Sequence, residues 1–108
     1  MFRLGKEKRR APRVKVHYLL RYKAGASEKV LSFVKDISAV GILFHSKERI
    51  PLDAELELEI NFHGPDGPVR VNARTVRVKA LRGMDGFEVG AEFINIDENA
   101  RAVIKRNI

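Results

Sequence analysis

Two short stretches of this chain hold side chains whose types and spacing could do chemistry. The first is "RRAPR", with Arg9, Arg10 and Arg13, preceded directly by Lys8. A guanidinium forks onto phosphate oxygens or onto the O6/N7 edge of guanine, and it stacks flat on aromatic rings. Pro12 lacks an N–H and pushes Ala11 out of the helical region, so the stretch reads as a bent loop. The second is "DISAVG", from Asp36 to Gly41. An ionised aspartate only accepts hydrogen bonds, so Asp36 can take N–H donors from the Watson–Crick edge of a guanine. The Ser38 hydroxyl can donate to phosphate or base, and Gly41 permits dihedrals or approach distances that other residues forbid. Each stretch also has a plainer explanation. A basic run can be a solvated tail, and Asp36 and Ser38 can be the acceptors of a local turn. Together they say more, because one recognises anions and base faces, the other favours guanine, and one strand hairpin separates them.

The elements that must position them are strands. Val14, Val16, Tyr18, Leu20 and Tyr22 alternate with mostly polar residues, the period of a half-buried strand. "EKVLSFVKDIS" and "VGILFHS" are apolar strands on either side of the Ser38–Gly41 break. In "LDAELELEINF", Leu56, Leu58, Ile60 and Phe62 face one way and Glu55, Glu57 and Glu59 the other. "HGPDGP" should turn that strand into "VRVNARTVRVKAL". In the second arm the apolar positions change parity, from Val69, Val71 and Ala73 to Val76, Val78 and Ala80, which predicts a β-bulge near Arg74 and Thr75. A hairpin about "HGPDGP" would set Glu57 opposite Arg74 and Glu55 near Arg77. "FEVGAEFINI" places Phe87, Val89, Ala91 and Phe93 on one face. Only the end is helical: Asp97 is an N-cap candidate, and Ala100, Val103, Ile104 and Ile108 form one stripe. The expected fold is all-β, a small six-stranded antiparallel β-barrel with a short C-terminal helix.

Composition bounds the function. The chain has 108 residues, enough for one domain with a real core. The net charge is +7, but residues 1–23 hold nine Lys or Arg and one acid, a balance of +8. The other 85 residues hold twelve basic and thirteen acidic side chains, a balance of −1. A long nucleic acid usually meets a basic stripe spread over the fold, whereas this charge is a local patch at one end. There are no cysteines, which removes disulfides, thiolate zinc sites and cysteine nucleophiles and is compatible with a reducing cytosol. No apolar run approaches the length of a membrane span, and "MFRLGKEKRR" has no hydrophobic stretch of a signal peptide behind its basic residues. His17, His45 and His63 are scattered without metal-ligand spacing, and Ser38 has no neighbouring base. No enzyme, cofactor or metal is therefore expected.

The two motifs in this order, on a small barrel pattern, resemble the PilZ domain family, receptors for the bacterial second messenger cyclic di-GMP. That family is recognised by an R-x-x-x-R loop, here Arg9 and Arg13 of "RRAPR", and a D/N-x-S-x-x-G turn, here Asp36, Ser38 and Gly41. "VGAEF" around Gly90 is similar to the family's glycine-bearing late strand. The resemblance implies that Arg9 and Arg13 clamp phosphates and guanines, with Arg10 as helper. Asp36 would accept from a guanine N1 and N2 pair, Ser38 would bond nearby, and Gly41 would keep the turn tight. Lys8 lies where one bound ligand or a stacked pair is decided, and a non-apolar residue there favours the pair. The expected organisation is a flexible basic arm over residues 1–10 and a PilZ-like barrel, of split-barrel type, over residues 7–108. The expected role is that of a cytoplasmic cyclic di-GMP receptor that orders its arginine loop on binding and signals to a partner protein, as a monomer or a dimer, without membrane insertion. The competing readings are a barrel that binds single-stranded nucleic acid and a protein adaptor that binds no nucleotide. Against the nucleic-acid reading, most aromatics fall on the buried face and the outward Arg70, Arg74, Arg77 and Lys79 are matched by facing glutamates.

Overall fold

Alternating apolar residues close on themselves here into a sheet without edges. A computed structural model of the chain describes residues 18–25, 28–62 and 64–108. Its strands are β1 (Leu19–Ala24), β2 (Val30–Ile37), β3 (Gly41–Ser46), β4 (Glu55–Asn61), β5 (Pro68–Ala80) and β6 (Phe87–Ile94), followed by α1 (Glu98–Arg106). They form a closed antiparallel barrel in the order β1-β2-β3-β6-β5-β4. The expected fold class is the observed one. Closure pairs β1 with β4, Leu20 opposite Ile60 and Tyr22 opposite Leu58, so no backbone ladder is left open.

The core is the inward set of each strand. Leu20, Val34, Ile42, Phe44, Leu56, Leu58, Ile60, Val71, Val89 and Ala91 are all buried. Tyr22 brings a polar tip inside, which is satisfied by Ser46 Oγ at 2.9 Å. At one end α1 packs Ala100, Val103 and Ile104 onto this core. Its first turn is capped as the sequence suggests, with Asp97 Oδ1 accepting from the Ala100 N–H at 2.7 Å. Ile108 departs from the expected stripe and is exposed, because the helix ends at Arg106 with Asn107 as its C-cap. The same barrel end holds Tyr18, whose ring meets Phe62 edge-on at 4.7 Å and whose hydroxyl donates to the Asn107 carbonyl at 3.0 Å.

Two details of the β4–β5 hairpin differ from expectation. Its closing pair is Asn61 with Pro68, so the register sets Glu55 opposite Arg74, Glu57 opposite Asn72 and Glu59 opposite Arg70. Glu57 therefore does not face Arg74, and Arg77 lies beyond the end of β4; the turn is centred earlier than "HGPDGP" alone suggested. The bulge also comes later than expected. Thr75 is still inward and fully buried, and it extends the β4 ladder through Thr75 N–H to Ala54 C=O and Asp53 N–H to Thr75 C=O. The slip can occur only past it, between Thr75 and Arg77 in the pairing with β6. Val76, expected inward, is 37% exposed as a result, and Ala80 is also exposed.

Buried Thr75 carries a hydroxyl with no hydrogen-bond partner among the described residues. An unsatisfied buried hydroxyl costs roughly 1–3 kcal/mol, and valine has nearly the same shape. Thr75→Val should therefore raise the stability by about 1 kcal/mol, seen as a higher urea midpoint at unchanged m-value. A lower midpoint would show that the hydroxyl is satisfied.

Candidate functional site

The "DISAVG" residues form the connection from β2 to β3. Ile37 pairs with Ile42, and the Ser38 N–H donates to the Gly41 carbonyl at 2.9 Å, so Ala39 and Val40 form the tip of a tight turn. Asp36 Oδ1 accepts from the Ile37 N–H at 2.9 Å, and Ser38 Oγ accepts from the Val40 N–H at 3.2 Å. Local backbone amides therefore use these side chains, as the plainer reading of the motif holds. That role does not exhaust them. A carboxylate presents about four lone-pair directions, more than one backbone amide fills, and the serine bond uses the hydroxyl as acceptor, leaving its proton to donate. Gly41 is buried, and the glycines with positive φ are Gly25, Gly67, Gly83 and Gly86. Gly41 therefore does not serve the turn through a left-handed backbone.

Asp36 faces outward because of a defect in β2. Val34 is fully buried and Ile37 packs against the core, three positions apart where strict alternation allows two. The register shift between Val34 and Asp36 absorbs the extra residue. Lys35, at the bulge, is tied to Glu88 of β6 at 2.9 Å. From Asp36 a row of directly paired residues crosses the outer wall: Asp36 opposite Leu43, Leu43 opposite Gly90, and Gly90 opposite Arg77. Next to it runs a second row in which Gly41 pairs with Glu92 and Glu92 with Arg74. The wall thus brings together Asp36, Ser38, Gly41 and Gly90 of the residues expected at the site. It adds Leu43 and Arg77, which sequence reasoning did not place there. Their signal was available: inward apolar residues three apart mark a bulge, and a bulge changes which neighbours face out. Arg9, Arg10, Arg13 and Lys8 lie outside the described residues, as do Val14, Val16, His17 and His63.

The junction to that N-terminal segment is described. The Tyr18 carbonyl accepts from the Val34 N–H at 2.8 Å, two residues before Asp36. Leu19 pairs with Phe33 on one side and Asn61 on the other. The chain therefore joins the barrel at the end where β2 runs into the Ser38–Gly41 turn. A polar depression of about 280 Å³ exists elsewhere, on the β1–β4–β5 flank among Arg21, Lys29, Glu57, Glu59, Arg70 and Asp97. Its charges answer one another, as Lys29 and Glu59 do at 3.4 Å, so it lacks the one-signed field an anion needs. Among the described residues no group of three His, Asp or Glu could hold a metal ion, and no helix is long and apolar enough to cross a membrane.

A family model described as PilZ domain matches residues 7–108, nearly the whole chain. The chain belongs to the PilZ domain family. No curated protein matches it. Among solved structures, this PilZ domain is similar to the inhibitor of motility MotI/DgrA of Bacillus subtilis, with 14% identity and a TM-score of 0.73 over 93% of this chain and 48% of that one. It is similar to the PilZ domain with c-di-GMP of YcgR from Escherichia coli, with 16% identity and a TM-score of 0.65 over 83% of this chain and 77% of that one. The K. pneumonia MrkH–c-di-GMP complex shares 19% identity and a TM-score of 0.65 over 93% of this chain and 50% of that one. At these identities the likeness is one of fold. This PilZ domain spans about half the length of the MotI/DgrA and MrkH chains.

Proposed function

We propose that this PilZ domain is a receptor for cyclic di-GMP that binds on the outer wall at the β2–β3 turn. The observation that carries the reading is the bond from Val34 to Tyr18. It ties the base of the arginine-bearing segment to β2, two residues from Asp36. Four residues separate Arg13 from Tyr18, and the five steps between them reach at most about 17 Å in extended chain, so "RRAPR" can meet the acid-and-hydroxyl turn. The ligands in the YcgR and MrkH structures support the same chemistry.

In this reading Arg9 and Arg13 hold the phosphates and stack on the guanines, and Arg10 assists. Asp36 accepts from the N1–H and N2–H of one guanine, Ser38 donates to the ligand, and Gly41 and Gly90 keep the wall open to it. Charge-assisted bonds contribute roughly 1.5–3 kcal/mol each. Several of them offset an ordering cost of about 2–5 kcal/mol and still leave submicromolar affinity, which needs about −8 kcal/mol. Residues 7–108 form the ligand-binding domain, and the basic arm of residues 1–10 closes on the ligand. The ordered segment then presents a new surface to a partner protein, which makes the domain an adaptor and not an enzyme. With no cysteine pairing to form, the cytoplasm suits it.

The test is a calorimetric titration with cyclic di-GMP, with cyclic di-AMP, GTP and a single-stranded oligonucleotide run in parallel. Saturable binding of cyclic di-GMP alone is the expected result, with one or two molecules bound per chain. Salt-sensitive binding of the oligonucleotide in its place would assign the barrel to nucleic acid. Failure of every nucleotide would leave a protein adaptor.

A further inference from the structure

In β5, Val69, Val71, Ala73 and Thr75 face the core at odd positions, and an unbroken strand would send residue 77 inward as well. The slip between Thr75 and Arg77 hands the inward place to Val78, which pairs with buried Val89, and turns Arg77 out. In β2 the slip between Val34 and Asp36 does the same for Asp36. Two independent bulges thus deliver an acid and an arginine to one row, on strands that flank β3 and β6. Each bulge gives up regular ladder pairing, and re-aiming a side chain is what such defects do beside sites.

The contents of the row match a nucleotide. Leu43, half-buried, offers an apolar face to a base, and Gly90 leaves the next position without a side chain. Three strand steps of about 4.8 Å separate Asp36 from Arg77, roughly 14 Å, the scale of a dinucleotide rather than of a single base. Arg77 is exposed, and its side chain makes no hydrogen bond or ion pair with any described residue. Its neighbour Arg74, by contrast, faces Glu55 at 3.9 Å. The sequence expectation that a glutamate neutralises Arg77 does not hold, since β4 begins opposite Arg74.

We infer that Arg77 is a further ligand-binding residue, which forks onto a phosphate or guanine edge of the cyclic purine dinucleotide at the end of the row opposite Asp36. The ligand then lies across Leu43 and Gly90, held at one end by an acceptor and at the other by a bidentate donor. This inference rests on the cyclic di-GMP reading above.

Calorimetric titration of the full chain with cyclic di-GMP tests it, using Arg77→Ala, Arg77→Lys, Arg70→Ala and Asp36→Ala beside the unaltered protein. Arg77→Ala should weaken binding about ten- to a hundredfold, the worth of one charge-assisted fork. Arg70→Ala, which removes the same charge from the same strand on the opposite flank, should stay within about twofold, as for an exposed arginine facing Glu59. Arg77→Lys separates the two contacts: recovery of most of the loss identifies phosphate, and little recovery identifies the guanine edge. If Arg77→Ala binds as tightly as Arg70→Ala while Asp36→Ala has lost the ligand, the role of Arg77 is overturned and the receptor reading stands. If the unaltered chain shows no saturable binding, both fall.

Discussion

Replacing Asp36 by alanine is expected to lower the affinity for cyclic di-GMP at least a hundredfold. A guanine offers N1–H and N2–H side by side, and one carboxylate accepts both. Each charge-assisted bond is worth roughly 1.5–3 kcal/mol, and about 2.7 kcal/mol is a hundredfold in affinity. The bond from Asp36 to the Ile37 N–H is local and partly exposed, so the loss of that bond costs little by itself. Asp36→Asn should fall between: its amide keeps one acceptor but sets an NH₂ against the second guanine donor. Arg13→Ala should cost a comparable amount, since a fork to phosphate is lost. Differential scanning fluorimetry separates folding from binding in each variant. Wild-type affinity in both Asp36→Ala and Arg13→Ala would move the site elsewhere on the molecule.

The second large effect concerns stability. Phe44→Ala is expected to cost about 3–5 kcal/mol, measured by urea unfolding. Phe44 is fully buried at the middle of β3, its ring 5.0 Å from that of Tyr22, whose hydroxyl is in turn held by Ser46. Removing the ring leaves a cavity inside a closed barrel, where the opposite wall cannot collapse to fill it. Against a total of about 5–15 kcal/mol, that is enough to populate the unfolded state at moderate temperature. Strand β3 also carries Gly41 and Leu43, so saturating cyclic di-GMP should recover part of the lost stability by mass action. Leu31→Ala provides the contrast: Leu31 is 62% exposed on β2, and its loss should stay within about 0.5 kcal/mol. A cost below about 1 kcal/mol for Phe44→Ala would mean that the barrel repacks as no close-packed core of this size should.

The secondary structure was legible because alternation is a local property. Leu56, Leu58 and Ile60 read as one buried face in sequence and are one in the barrel, and Asp97 declared the start of the helix by its own chemistry. The "DISAVG" turn was equally plain, since a Ser–Gly break between two apolar runs has few other outcomes. Less legible was anything that depended on which strands meet. The parity change in β5 announced a bulge, but its place was decided by Thr75, which β4 holds inward through Ala54 and Asp53. The bulge in β2 is harder to read from sequence: Val34 and Ile37 stand three apart, but a single irregular spacing looks like an ordinary polar interruption.

The amino-acid order alone therefore determined the family motifs, the strands, the cap of the helix and the concentration of positive charge at one end. Tertiary structure alone decided that β3 pairs with β6, that the Tyr18 junction lies beside the β2–β3 turn, and that Asp36, Leu43, Gly90 and Arg77 share a row. The physical reason is that barrel closure is a non-local constraint. Register between strands far apart in sequence is settled only when every inward side chain has found its place, and the outward rows, where a ligand would bind, are what that packing leaves over.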